Sequence, residues 1–160
     1  MIAERIGNDR KFRAMMEAHA HDVMEYLIER GVTFSIFCTL SLVHFDPPLP
    51  QKILARFPNM TLFVLAGYTF ESINLDRHDL YFEAGFGEEN IGSLVRVPLG
   101  SILQILIQDD DGENHALFTS LSAAFSGLGF NLDPNSDEEG LQSSIASLLA
   151  NPENQKFKKH

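Results

Sequence analysis

Tryptophan is missing from this 160-residue chain, cysteine occurs once, and basic residues are scarce: 12 Lys and Arg stand against 22 Asp and Glu, a formal net charge of −10. Each shortage closes off a class of function. A lone Cys38 cannot build a disulfide framework or a Cys-rich zinc site, and it suits a reducing compartment. The deficit of positive charge argues against nucleic acid, whose phosphates are held by clustered Lys and Arg. It argues equally against an anionic membrane surface. No run approaches the roughly 20 apolar residues of a membrane-crossing helix. The opening MIAERIGNDRKFR carries charge and no apolar stretch, so no signal peptide is expected. The expectation is a soluble cytoplasmic protein with one folded domain large enough to bury a core.

Catalytic signatures are also lacking. There is no G-x-S-x-G, no P-loop and no G-x-G-x-x-G opening a helix. His19 and His21 are two residues apart, which on a helix points them about 200° apart, so they cannot chelate one ion together. His19 is expected at the core edge and His21 in solvent. The acidic run Asp109 to Asp111 lacks the ligand spacing of an EF-hand and is read as a solvated turn. Cys38, among apolar neighbours, reads as a small buried hydrophobe. No catalytic residue, metal ligand or cofactor is expected.

What is present is aromatic and extended. Phe12, Met15, Met16, His19, Val23, Tyr26 and Leu27 recur at helical spacing, with Asn8 or Asp9 as N-cap and Gly31 as the stop, giving a helix from about Asp9 to Arg30. VTFSIFCTLSLVHF, residues 32–45, is one strand or two, ended by the prolines of DPPLP. Gln51 to Phe57 is a short helical turn with Ile53, Leu54 and Phe57 facing inward. Met60 to Ala66 and Tyr68 to Leu75 read as strands broken at Gly67.

The stretch from Leu80 to Ile107 is the most informative. It gives a strand, a Gly-containing turn, a strand stopped by Pro98 and a final apolar segment. Phe82, Ala84 and Phe86 share one face by alternation. Ala84 between two Phe side chains either opens a notch for a ligand or relieves crowding in the core. The expected fold is α+β: an N-terminal helix followed by about six strands in a small curled antiparallel sheet or open barrel, over residues 1–108. Residues 109–160 read as a flexible acidic tail with a basic end. His115 to Phe125 and Leu141 to Leu149 are marginal helices within it.

In order and spacing, Phe12 to Gln108 resembles the stringent starvation protein B (SspB) family, closest to its divergent alphaproteobacterial form. The matching features are the amphipathic helix, FSIFCTL, a proline-containing loop, TLFVLAG, FESINL, F-x-A-x-F-G at Phe82 to Gly87, and V-P-L-x-x-I-L-x-I from Val97 to Ile105. The resemblance implies a fold akin to SH3-like or Sm-like barrels and a homodimer formed through the N-terminal helix. It further implies a non-enzymatic adaptor that binds degron peptides, of the tmRNA-tag type, and delivers tagged polypeptides to the ClpXP protease. Carried over by position, Leu65, Phe82, Ala84 and Phe86 would line the peptide groove. Phe157, Lys158 and Lys159 would dock on the ClpX unfoldase. The tail holds Leu117, Phe118, Leu121, Phe125 and Leu148, more apolar residues than a pure linker carries, and its end lacks the family's paired valines. Two other readings are a peptide-binding module of the same fold with an unrelated partner, and a small hydrolase or metal-dependent enzyme.

Overall fold

The computed structural model describes residues 1–120 and Ser122. A short helix, α1 (Ile2–Gly7), precedes the main helix α2 (Arg10–Glu29). Asp9 caps α2, its side chain accepting from the Phe12 amide at 2.9 Å. At the other end Gly31 takes φ 67°, and Val32 N–H and Gly31 N–H donate to the carbonyls of Leu27 and Ile28. That pair of bonds is a Schellman stop, which explains why a glycine sits there.

The buried face of α2 differs from the expected stripe. Ala20, Met24 and Leu27 are buried, with Met16, Val23 and Ile28 packed beside them, while Met15 and Tyr26 are exposed. The small Ala20 carries little hydrophobic signal, so the stripe read from the sequence was rotated toward the bulkier Met15 and Tyr26. Tyr26 has a local partner instead, the Arg30 guanidinium 3.7 Å from its ring centroid. The two histidines also exchange roles. His19 is exposed and meets the Phe118 ring edge-on at 5.2 Å. His21 is partly buried beside Asp22 and Glu25.

The α+β architecture holds: helices first, then antiparallel strands, here in two open four-stranded sheets. One has the order β3 (Met60–Leu65), β1 (Phe34–Thr39), β7 (Ile102–Gln108), β8 (Asn114–Thr119). The other runs β2 (His44–Asp46), β6 (Ile91–Pro98), β5 (Asp79–Phe86), β4 (Asn74–Leu75). Residues 32–45 thus supply two strands, one to each sheet, separated by a 3-10 turn at Leu40–Leu42. The helical turn at 51–57 is α3 (Gln51–Leu54), with Ile53 buried and Leu54 and Phe57 packed against the core.

Three expectations need correction. Tyr68 to Leu75 opens as a helix, α4 (Gly67–Glu71), and only the two-residue β4 is extended. Its β-prone Tyr, Thr and Phe are overridden because Phe70 and Thr69 are drawn inward, Phe70 meeting Phe34 edge-on at 6.3 Å. His115 to Phe125 begins as strand β8, paired with β7 through an Asp109–Glu113 turn. The folded unit therefore does not end at Gln108, because β8 is an edge of its first sheet and Phe118 is buried in the core. The helix expected at Leu141 to Leu149 lies outside the described residues. Among the described residues no helix is long and apolar enough to cross a membrane.

The sheets face one another across a core shared by Ile36, Cys38, Phe63, Leu65 and Ile105 from one and Leu80, Phe82, Val95 and Val97 from the other. Phe63 is its aromatic hub. Its ring lies 5.7 Å from Phe82, 6.3 Å from Phe57 and 6.4 Å from both Phe45 and Phe86. Truncating a buried Phe costs about 3–5 kcal/mol through lost transfer energy and cavity formation. Phe63→Ala is therefore expected to lose at least that much in urea unfolding followed by circular dichroism, a large share of a typical domain's stability. A loss under about 1 kcal/mol would mean the hub is not central. Cys38 is fully buried, and burial pushes its thiol far above the ordinary cysteine range. A thiol-reactive dye should leave the native protein unlabelled and react once it is unfolded.

Candidate functional site

The β5–β6 hairpin has two unlike faces. Register pairs Leu80 with Val97, Phe82 with Val95 and Ala84 with Ser93, and these rows face the core. The alternate rows face outward: Tyr81 with Arg96, Glu83 with Leu94, and Gly85 with Gly92. The cross-strand glycine pair leaves the backbone bare at Gly92 and, at Gly85, room for a neighbouring side chain. Asn90, in the left-handed region at φ 52° in the tight turn, swings its side chain over Gly85, where a Cβ would meet its Oδ1 at 1.8 Å. A Cβ on Gly92 would meet nothing within 4 Å.

Around this bare patch lies a cleft of about 440 Å³, lined by Asp46, Pro47, Tyr68, Glu83, Ala84, Gly85, Asn90, Gly92, Ser93 and Leu94. Asp46, Leu94 and Glu83 form one outward cross-strand row along it. Strands are about 4.8 Å apart, which puts the two carboxylate-bearing residues about 10 Å apart with Leu94 between them.

The backbone at the floor is available. Leu99 N–H donates to His78 C=O, which makes Asp79–Pro98 a non-hydrogen-bonded pair and turns residues 79, 81, 83 and 85 toward the β4 edge. Asp79 and Glu83 are satisfied there, by Asp76 and by the Ser72 hydroxyl at 2.8 Å. But β4 pairs only with Leu80 and Tyr81, so Gly85 N–H and C=O point past it to an open edge. On the other side β2 stops pairing at Asp46, because Pro47 and Pro48 have no N–H to give. Gly92 directs its own amide and carbonyl beyond that last pair.

A short helix clamps one wall. Ser72 at the end of α4 binds the Glu83 backbone, and the Tyr68 hydroxyl donates to the Glu83 carboxylate. Tyr68 is nevertheless 61% exposed, so its ring stands as an aromatic wall beside the cleft. On the other side the Ser93 hydroxyl donates to Pro47 C=O at 3.0 Å, tying the proline loop to the hairpin.

Of the four groove residues implied by resemblance, Ala84 lines this cleft. Leu65, Phe82 and Phe86 are 0, 1 and 2% exposed, and all three belong to the core. The correction has a simple cause: the face that Phe82, Ala84 and Phe86 share is the inward one, and the two rings pack against Phe63. Ala84 reaches the cleft because its side chain is too small to cover the strand edge. Phe157, Lys158 and Lys159 lie outside the described residues. The sequence reading missed Tyr68, Glu83, Gly92, Leu94 and Asp46. Gly85 opposite Gly92 is a signal that hairpin register alone could have revealed. Among the described residues no group of three or more His, Cys, Asp or Glu side chains is placed to hold a metal ion.

Compared with protein-family models and with curated proteins, the chain matches none.

The hydrogen bond to Glu83, and the charge of that carboxylate, hold the Tyr68 hydroxyl above the ordinary tyrosine range. Its contribution is complete below the unfolded tyrosine value and is lost as pH rises through the raised one. In an ultraviolet titration, Glu83→Ala should bring one of the three tyrosines back toward the ordinary range. An unchanged curve would mean that the clamp does not form in solution.

Proposed function

We propose that this chain is a non-enzymatic adaptor that binds degron-type peptides in extended form across Gly85 and Gly92 and delivers the tagged polypeptide to ClpXP. The observation carrying the peptide-binding half is the paired glycines, whose amides and carbonyls point beyond the last residues of β4 and β2. The two glycines open opposite edges of the hairpin, so an incoming strand takes main-chain hydrogen bonds at one of them and places alternate side chains against Tyr68 or Leu94. The delivery half rests on the resemblance to the SspB family. In this reading Phe157, Lys158 and Lys159 form the ClpX-docking end, and tethering raises the local concentration of a weakly held degron at the protease. The protein works in the cytoplasm as a homodimer through its N-terminal helices, a role that suits the exposed Ile2, Ile6 and Met15.

Gly92→Leu is the informative variant, because its Cβ enters open space and the rest of the side chain extends into the cleft. Fluorescence anisotropy of a labelled tmRNA-tag peptide should give saturable binding with the wild type and at least tenfold weaker binding with folded Gly92→Leu. Absence of binding by the wild type would overturn tag recognition. Equal binding by both proteins would move the groove elsewhere. In pull-downs, ClpX should be retained by the full chain and lost when residues 157–160 are removed.

A further inference from the structure

We infer that residues 121–130, LSAAFSGLGF, cover the outer face of the first sheet and complete a second apolar layer there. That face carries a cluster separate from the shared core: Phe37, Met60, Leu62, Leu103 and Leu106, with Phe57 and Val64 at its margin. Register places the cluster opposite the core. Phe37 pairs with Leu62 and Ser35 with Leu106, whereas the alternate positions Ile36, Cys38, Phe63 and Ile105 belong to the shared core. Phe37, Leu62, Leu103 and Leu106 are nonetheless each 4% exposed, and Met60 is 7% exposed. An uncovered sheet face differs: Leu94, outward on β6, is 42% exposed. The Thr39 hydroxyl, beside the cluster, donates to Met60 Sδ at 3.5 Å, a weak acceptor that suits a site closed to water. Yet among the described residues every member of the cluster comes from β1, β3, β7 or Phe57, and none from a helix. The buried side chains of α2 and α3 belong to the shared core instead.

The chain leaving β8 is placed to supply the missing layer. Ser120 N–H donates to Leu103 C=O at 2.8 Å, so the segment starts beside a member of the cluster. Ser120 and Ser122 are both 3% exposed, which keeps the chain against the protein as β8 ends. The composition fits the same role. No Asp, Glu, Lys or Arg stands between Glu113 and Asp133, and residues 121–130 include Leu121, Phe125, Leu128 and Phe130. Reach is sufficient in either conformation. The face crosses β7, β1 and β3, which is two strand spacings or about 10 Å. A ten-residue segment spans about 33 Å when extended and about 15 Å as a helix. A single chain already buries the cluster, so a second copy is not needed to cover it. The inference stands apart from the adaptor reading, but it changes that reading's geometry. The free tether would begin after Phe130 rather than after Gln108, leaving residues 131–160 to reach ClpX.

The test is a nuclear Overhauser measurement on the full chain carrying ¹³C-labelled leucine methyl groups. The methyls of Leu62, Leu103 and Leu106 should show cross-peaks to the ring protons of Phe125 or Phe130. A mixture of labelled and unlabelled chains, filtered for contacts between copies, should show none of them. A Leu121→Ser, Phe125→Ser, Leu128→Ser, Phe130→Ser variant should lose these cross-peaks and open the three methyls to a soluble paramagnetic agent. Leu80, in the shared core, should stay protected in the same variant, which reports that the fold survives. Were the variant to unfold, the wild-type cross-peaks decide alone. Wild-type methyls that lack the ring contacts overturn the inference. Contacts seen only between copies overturn it in favour of a dimer face. Methyls that remain protected in the folded variant also overturn it, since another part of the chain would then be the cover.

Discussion

The aromatic cluster around Phe63 is the contact on which the rest of the molecule depends. The two open sheets share no ladder and are joined only at strand ends, as at the short turns Leu40–Leu42 and Leu99–Ser101, so side chains across the core set their separation. Phe63 stands on β3 of one sheet and touches Phe45, Phe82 and Phe86 of the other, while Phe57 closes the end from the loop after α3. Phe86 repeats the pattern, meeting Phe45 at 5.6 Å and Phe57 at 6.0 Å, both edge-on. Edge-to-face pairs of this kind add about 0.5–1.5 kcal/mol each beyond area burial. Their geometry also sets which way the β5–β6 hairpin faces.

That orientation makes the candidate site possible. Because Phe82 and Phe86 are committed inward, the outward face of the same hairpin is free of packing duty and can be built from Glu83, Gly85, Gly92 and Leu94. A glycine pair weakens a strand, since Gly loses the most freedom on ordering and brings no side chain to pack. Here eight paired positions along β5 and β6, and the Phe cluster beneath them, hold the hairpin together regardless. The stable face supports the unstable one. Asn90, over Gly85, and Ser93, bonded to Pro47, then border the bare patch with polar groups at two corners.

Local chemistry was legible in the sequence wherever one residue type dictates one conformation. Asp9 and Gly31 bounded α2, Pro98 ended β6, and alternation placed Phe82, Ala84 and Phe86 on one face. The meaning of that face was not legible, because alternation says which residues face together but not toward what. β8 was lost for a related reason. His115, Ala116, Leu117 and Thr119 are exposed and only Phe118 is buried, so the edge strand lacks the alternation that marks a half-buried one. Tyr68 to Leu75 failed because tertiary packing overrode β propensity. The cleft itself joins β2, α4, β5 and β6, four segments that no linear pattern connects.

The mismatch in strand lengths leaves open backbone at the end of this sheet that the proposed groove uses. β5 and β6 run for eight residues each, whereas β4 has two and β2 three, so both long strands outrun their outer neighbours at the same end. Unfinished edges of this kind ordinarily invite pairing with another copy of the same chain. The charges around this one oppose that outcome. A second copy would bring its own Asp46, Glu83, Glu88 and Glu89 against the first, and like charges in register repel. The acidic rim therefore disfavours pairing between two such hairpins even though their backbone is open.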